Sequence, residues 1–202
     1  MMIKLYGRGQ SRSHRCLWAL HEAEVEFEYN VVTADNLDDY AKVNPQGKVP
    51  ALVDDDLVLT ESAAIVNYIG RLGARPELLP MTPRQRARYD ELCFFVMTEL
   101  EQPLWTIGKH RFALPEEVRR PDMFDTAIFE FNKAQTALQQ LLGDFQYAVG
   151  DSFSLADILL AQTLNWAARF EMAVDDNLLA YRDRMYVRPA CVQSLALIEK
   201  LG

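Results

Sequence analysis

The sequence predicts a small α/β domain followed by an all-helical one. Three features carry that prediction. Strand-like and helix-like segments alternate through residues 1–76. A stretch rich in Gly and Pro then follows, with Gly73, Pro76, Pro80 and Pro83. From residue 84 to 202 the apolar residues recur at helical spacing, with almost no strand alternation.

Ile3-Lys4-Leu5-Tyr6 alternates apolar and polar side chains, as a short strand does. Gly7 to Gln10 reads as loop, and Ser11 or Ser13 can cap the helix that follows. Cys16, Leu17, Leu20 and Ala23 then form one apolar stripe. Phe27, Tyr29 and Val31 alternate with acids and Asn30, a second strand. Residues 33–47 look polar and irregular, ending on the turn signal Asn44-Pro45-Gln46-Gly47. Residues 51–53 and 57–59 flank Asp54-Asp55-Asp56 as a hairpin. Ile65, Ile69 and Leu72 place a helix directly after Glu61-Ser62. Residues 73–83 read as a linker, because Pro cannot continue a helix interior and Gly loosens the chain. Beyond it, Ile128, Phe131, Leu138, Leu141 and Leu142 mark one helical face; Leu155, Ile158, Leu159, Trp166 and Phe170 mark another. Ser154 to Asp157 has the form of a capping box. The domains expected are 1–76 and 84–202.

Composition removes several classes of function. Of 202 residues, half are hydrophobic and a quarter charged, as in an ordinary globular chain. Asp and Glu number 29 against 21 Lys and Arg, a formal charge of −8. Residues 1–80 and 81–202 each carry −4, so no basic half exists to track phosphates, and nucleic acid is not the expected partner. No run approaches the ~18 apolar residues of a membrane span, and the N-terminus lacks a signal-peptide core. Three cysteines without a C-x-x-C pair suit a reducing cytoplasm. His14, His21 and His110 are scattered, so no metal site is expected.

Four segments in order share one pattern. They are Leu5-Tyr6-Gly7 with Ser11, then Asn44 to Leu52, then Leu59 to Ile65, and finally Phe153 to Asp157. This layout resembles the cytosolic glutathione S-transferase superfamily, of a bacterial, serine-class-like type. The resemblance implies a thioredoxin-like first domain, a helical second domain and a homodimer. It implies glutathione as co-substrate and a detoxifying transferase. An electrophile site between the domains is implied as well.

Such chemistry needs a thiolate. A thiol of pKa ~8.5 is only ~3% ionised at pH 7. Lowering that pKa by ~2 units takes ~2.7 kcal/mol of selective stabilisation of the anion. A hydroxyl donating to an anion supplies ~1.5–3 kcal/mol, and a helix N-terminus up to ~1. By resemblance the donor is Ser11, with Ser13 as runner-up; either serine alternatively only caps the helix. Tyr6 ranks third, and Cys16, a full turn inside the helix, reads as a buried inert thiol.

The other site residues follow from the resemblance too. Val49-Pro50 resembles the family's cis-proline element, whose backbone pairs with the cysteinyl part of glutathione. Lys48 can meet the glycyl carboxylate. Glu61 can accept from the γ-glutamyl ammonium, and Ser62 can bind its carboxylate at a helix N-terminus. Arg8, Arg12 and Arg15 either steer the anionic tripeptide or are simply solvated. Trp105, Ile107, His110, Phe112 and Trp166 are the candidates for the electrophile pocket, after Pro103, which should bend or end its helix. They are equally readable as core or dimer contacts, and Asp157 reads as structural. The expectation is a transferase acting on small hydrophobic electrophiles or peroxides. Its rivals are a non-catalytic binding module of the same fold, or a glutathione-dependent isomerase or dehalogenase.

Overall fold

A computed structural model describes residues 2–201. The chain divides into two compact units, Met1–Leu79 with Met185–Gly202, and Pro80–Arg184.

In the first unit the strands are β1 (Ile3–Gly7), β2 (Phe27–Val31), β3 (Ala51–Asp54) and β4 (Leu57–Leu59), in the sheet order β2-β1-β3-β4. β1 and β2 run parallel, with Leu5 opposite Tyr29, so a crossover must join them. That crossover is α1 (Ser13–Glu22), which buries Cys16, Leu17 and Leu20 completely. β3 is antiparallel to both β1 and β4, and Asp55 turns the hairpin with a φ of 52°. α3 (Ser62–Leu72) buries Ile65, Val66 and Ile69 and packs against α1. α9 (Pro189–Leu201) covers α1 from the far end of the sequence.

The stretch expected to be irregular holds a helix. Thr33 and Asn36 cap each other around a 3-10 turn, Ala34–Asn36, which runs into α2 (Leu37–Val43). Tyr40 is its one buried side chain, so the apolar periodicity was too faint to register. Gly73 does not loosen a linker. A Cβ there would lie 2.3 Å from the Ala23 carbonyl oxygen, so glycine is needed for close approach.

The second unit is helical: α4 (Pro83–Phe95), α5 (Glu101–Gly108), α6 (Met123–Leu142), α7 (Leu155–Arg169) and most of α8 (Asp176–Tyr186). Pro103 does not end its helix. The chain widens into a π-turn over Val96–Leu100, which contains the residue four before Pro103 whose carbonyl the ring would strike. A second π-turn, Lys109–Ala113, ends the α5 run. On α6 the buried face is Ala127, Phe131, Ala134, Gln135, Leu138 and Leu142; Ile128 points outward at 42% exposure. The Ser154–Asp157 capping box forms as expected. Asp157 is fully buried and accepts from the Ala148 and Ser154 amides, both 2.8 Å, and from the Ser154 and Tyr181 hydroxyls. No helix among the described residues is long and apolar enough to cross a membrane.

Candidate functional site

The first unit gathers three sequence segments around the head of α1. Neither serine is its N-cap; Arg12 holds that position and offers no side-chain cap. Ser11 instead accepts from the Ser13 amide at 3.2 Å. The two hydroxyl oxygens are 2.9 Å apart, and the Arg8 amide donates to Ser13 Oγ at 3.3 Å. Ser13 is wholly buried, whereas Ser11 keeps some exposure. This crowding requires Gly7, where a Cβ would come within 2.6 Å of the Ser13 Cβ.

The head of α3 lies beside the same helix. Glu61 precedes it with φ 66° and ψ 110°, a left-handed conformation that costs a non-glycine residue energy and recurs at ligand sites. Its carboxylate is exposed, while Ser62 is 2% exposed. Arg15 is completely buried and donates to Ser62 Oγ at 3.2 Å. A solvated, steering role for Arg15 is therefore wrong. Its guanidinium joins the first turns of α1 and α3 instead.

The third segment reaches β3 through a cis Val49–Pro50 bond. α2 anchors it: Tyr40 Oη and Asn44 Nδ2 both donate to the Lys48 carbonyl, at 2.5 and 2.6 Å. Val49 and Tyr6 pack against the cluster of Val32, Tyr40 and Ala51, and among the described residues no backbone hydrogen bond engages the Val49 N–H or C=O. Tyr6 is committed to that cluster, its ring 5.7 Å from Tyr40. Lys48 is exposed.

Cys16 is buried, with Sγ 3.8 Å from the Ser62 carbonyl. Burial pushes its thiol up, opposed only in part by Arg15, so it stays protonated at neutral pH. Among the described residues no group of three or more His, Cys, Asp or Glu is placed to hold a metal ion.

The electrophile candidates all belong to the second unit. Trp105 and Trp166 are 6.4 Å apart, Trp166 and Phe170 5.5 Å, and Phe112 and Phe170 6.3 Å, a continuous aromatic run. His110 lines an open cleft beside it. Ile107 is 1% exposed and belongs to the helical core. Sequence reasoning missed Phe124 and Arg111, which flank this run, and Tyr40, which anchors Lys48. None of them stands in a motif.

The first unit thus brings two hydroxyls to a helix mouth beside the Val49 backbone segment, and the same chain carries a helical unit. Residues 1–71 match the glutathione S-transferase N-terminal domain and residues 108–189 its C-terminal domain. Glutathione S-transferase Z2 of Arabidopsis thaliana is 34% identical over 172 residues, covering 82% of this chain and 76% of that protein. The glutathione transferase of Methylococcus capsulatus is 28% identical with a TM-score of 0.85, covering 98% of this chain and 99% of that one. The theta-class enzyme of Xanthomonas axonopodis pv. citri, solved with glutathione bound, is 28% identical with a TM-score of 0.77, over 96% of both chains. The chain belongs to the glutathione S-transferase family, enzymes that take glutathione as co-substrate.

Proposed function

We propose that this protein conjugates the glutathione sulfur to small hydrophobic electrophiles, with Ser11 holding the thiolate. The observation that carries this reading is the Ser11–Ser13 hydroxyl pair. Ser13 is buried and takes the Arg8 amide, so its own hydrogen is best spent on Ser11 Oγ. Ser11 then accepts twice, from Ser13 N and Ser13 Oγ, and its hydrogen is left to donate outward. Ser13 is thus a positioning residue that polarises the donor.

The rest of the tripeptide follows from the free groups. Val49 presents an unused N–H and C=O to the cysteinyl backbone, in the manner of an added strand. Lys48 meets the glycyl carboxylate. Glu61 accepts from the γ-glutamyl ammonium, and Ser62 binds the α-carboxylate at the α3 N-terminus. Trp105, Phe112, Trp166 and His110 supply the surface for the electrophile. A homodimer belongs to this reading, as it does to the family that the chain joins. Three free buried cysteines support a cytoplasmic location.

The test is the ionisation of enzyme-bound glutathione, followed by the ultraviolet absorbance of its thiolate against pH. Replacing Ser11 by Ala removes a donor worth ~1.5–3 kcal/mol, so the midpoint rises by about 1–2 pH units. Ser13→Ala raises it by less. A midpoint unmoved by Ser11→Ala would assign the sulfur to another group.

A further inference from the structure

The helical unit holds an open cleft of about 420 Å³, lined by His110, Arg111, Glu116, Arg119, Pro121 and Phe124. That volume suits one small aromatic molecule. Arg111 is its unusual member. The guanidinium carbon lies 5.7 Å from the Phe124 ring centroid and 5.3 Å from that of Phe170, so two rings hold it in place. The residue is exposed, and among the described residues its guanidinium forms no ion pair and no hydrogen bond. A fork of five donors therefore lies over two rings and stays open to an acceptor from solvent.

Its neighbours add to the same preference. The Arg120 amide donates to His110 Nδ1 at 3.1 Å, so the neutral ring carries its hydrogen on Nε2 and remains a donor. Arg119 spends Nε on the Leu114 carbonyl, and a second nitrogen on that of Phe112. Its positive charge stays uncompensated, since Glu116, the one carboxylate among the lining residues, pairs with neither arginine. Phe170 then continues the surface from Arg111 to Trp166 and Phe112. A cationic fork thus stands at the end of a run of aromatic faces, in a protein of formal charge −8.

We propose that this cleft binds a small planar aromatic carboxylate, its acid group on Arg111 and its ring against the Phe124–Phe170 faces, and that this molecule is the acceptor of the glutathionyl group. The binding stands on the cleft alone; the acceptor role rests on the transferase reading above. With an aryl chloride as probe, the thiolate electron pair forms the carbon–sulfur bond. The carbon–chlorine bond breaks, and chloride departs with its pair. The thiol proton has already passed to solvent, and nothing is oxidised or reduced.

Calorimetry with two unreactive analogues, with and without the carboxylate, tests the binding. 3,5-Dinitrobenzoate should bind at least about tenfold more tightly than 1,3-dinitrobenzene, as a bidentate guanidinium–carboxylate contact predicts. Arg111→Ala should erase that preference. Equal affinities in the unaltered protein, or a preference that survives Arg111→Ala, would overturn the site. The acceptor role is read from the ratio of kcat/KM for 4-chloro-3,5-dinitrobenzoate to that for 1-chloro-2,4-dinitrobenzene. The ratio should collapse in Arg111→Ala, chiefly through KM, and an unchanged ratio removes the acceptor assignment. A separate titration with glutathione identifies failure of the transferase reading, which leaves the calorimetric result standing.

Discussion

Ser13 and His14 are neighbours at the head of α1, both buried, and they face different tasks. Ser13 turns to Ser11 and the Arg8 amide, whereas His14 turns to α9. There its Nε2–H donates to Ser194 Oγ at 2.9 Å, and the Ser194 hydroxyl in turn donates to the Cys191 carbonyl at 2.7 Å. That chain of donors fixes the neutral tautomer of the ring. Burial, reinforced by the positive Arg15, lowers the His14 pKa to about 4. The folded protein thus refuses a proton that the unfolded chain accepts below pH ~6.5. Stability from this group is complete above pH ~6.5 and is lost as pH falls toward about 4, a span worth roughly 3 kcal/mol. In His14→Gln the carboxylates still titrate, but this contribution disappears. Urea unfolding at pH 7 and pH 4.5 should show the native protein losing about 2–3 kcal/mol more than the variant between the two. Parallel losses would mean that His14 takes up its proton in the fold as readily as in the unfolded chain.

At the scale of elements, what the sequence reveals depends on how local the cause is. The Ser154–Asp157 box was readable because both partners lie within one turn of the same helix. Its further partners, Ala148 N and Tyr181 Oη, were not readable, since they approach only after folding. Burial pushes the Asp157 carboxyl up, while the donors from Tyr181, Ala148 and Ser154 pull it back. Removing the carboxylate strands several buried donors at once. Asp157→Ala should therefore cost on the order of 3 kcal/mol, and Asp157→Asn less, because one amide oxygen still accepts. The urea midpoint measures both, and equal losses would mean that charge rather than acceptance matters. α2 and the run through Pro103 show the opposite limit. A seven-residue helix with one buried side chain leaves hardly any periodicity, and a π-turn lets a proline stay where its local rule forbids it.

For the whole molecule, the order of strands and helices along the first unit and the motif-bearing segments were legible from the N-terminal pattern, because strands and caps there repeat short-range rules. The allegiance of the last helix was not. α9 follows a helical sequence and looks like more of it, yet it packs on α1, joined by contacts that span most of the chain. One of these contacts is an ion pair with little access to water. Arg188 Nε and a second guanidinium nitrogen meet the two Glu22 carboxylate oxygens at 2.6 and 2.8 Å, and Trp18 Nε1 donates to the same carboxylate at 3.0 Å. The Glu22 side chain is 5% exposed and that of Arg188 25%. Such a pair adds little over an apolar pair of the same shape, but removing one partner leaves a buried charge unmet. Arg188→Met should therefore destabilise the protein by about 3 kcal/mol, whereas Glu22→Gln with Arg188→Met should recover a large part of that loss. A double variant no more stable than Arg188→Met alone would show that α9 is held by its apolar contacts and not by the charge it brings to α1.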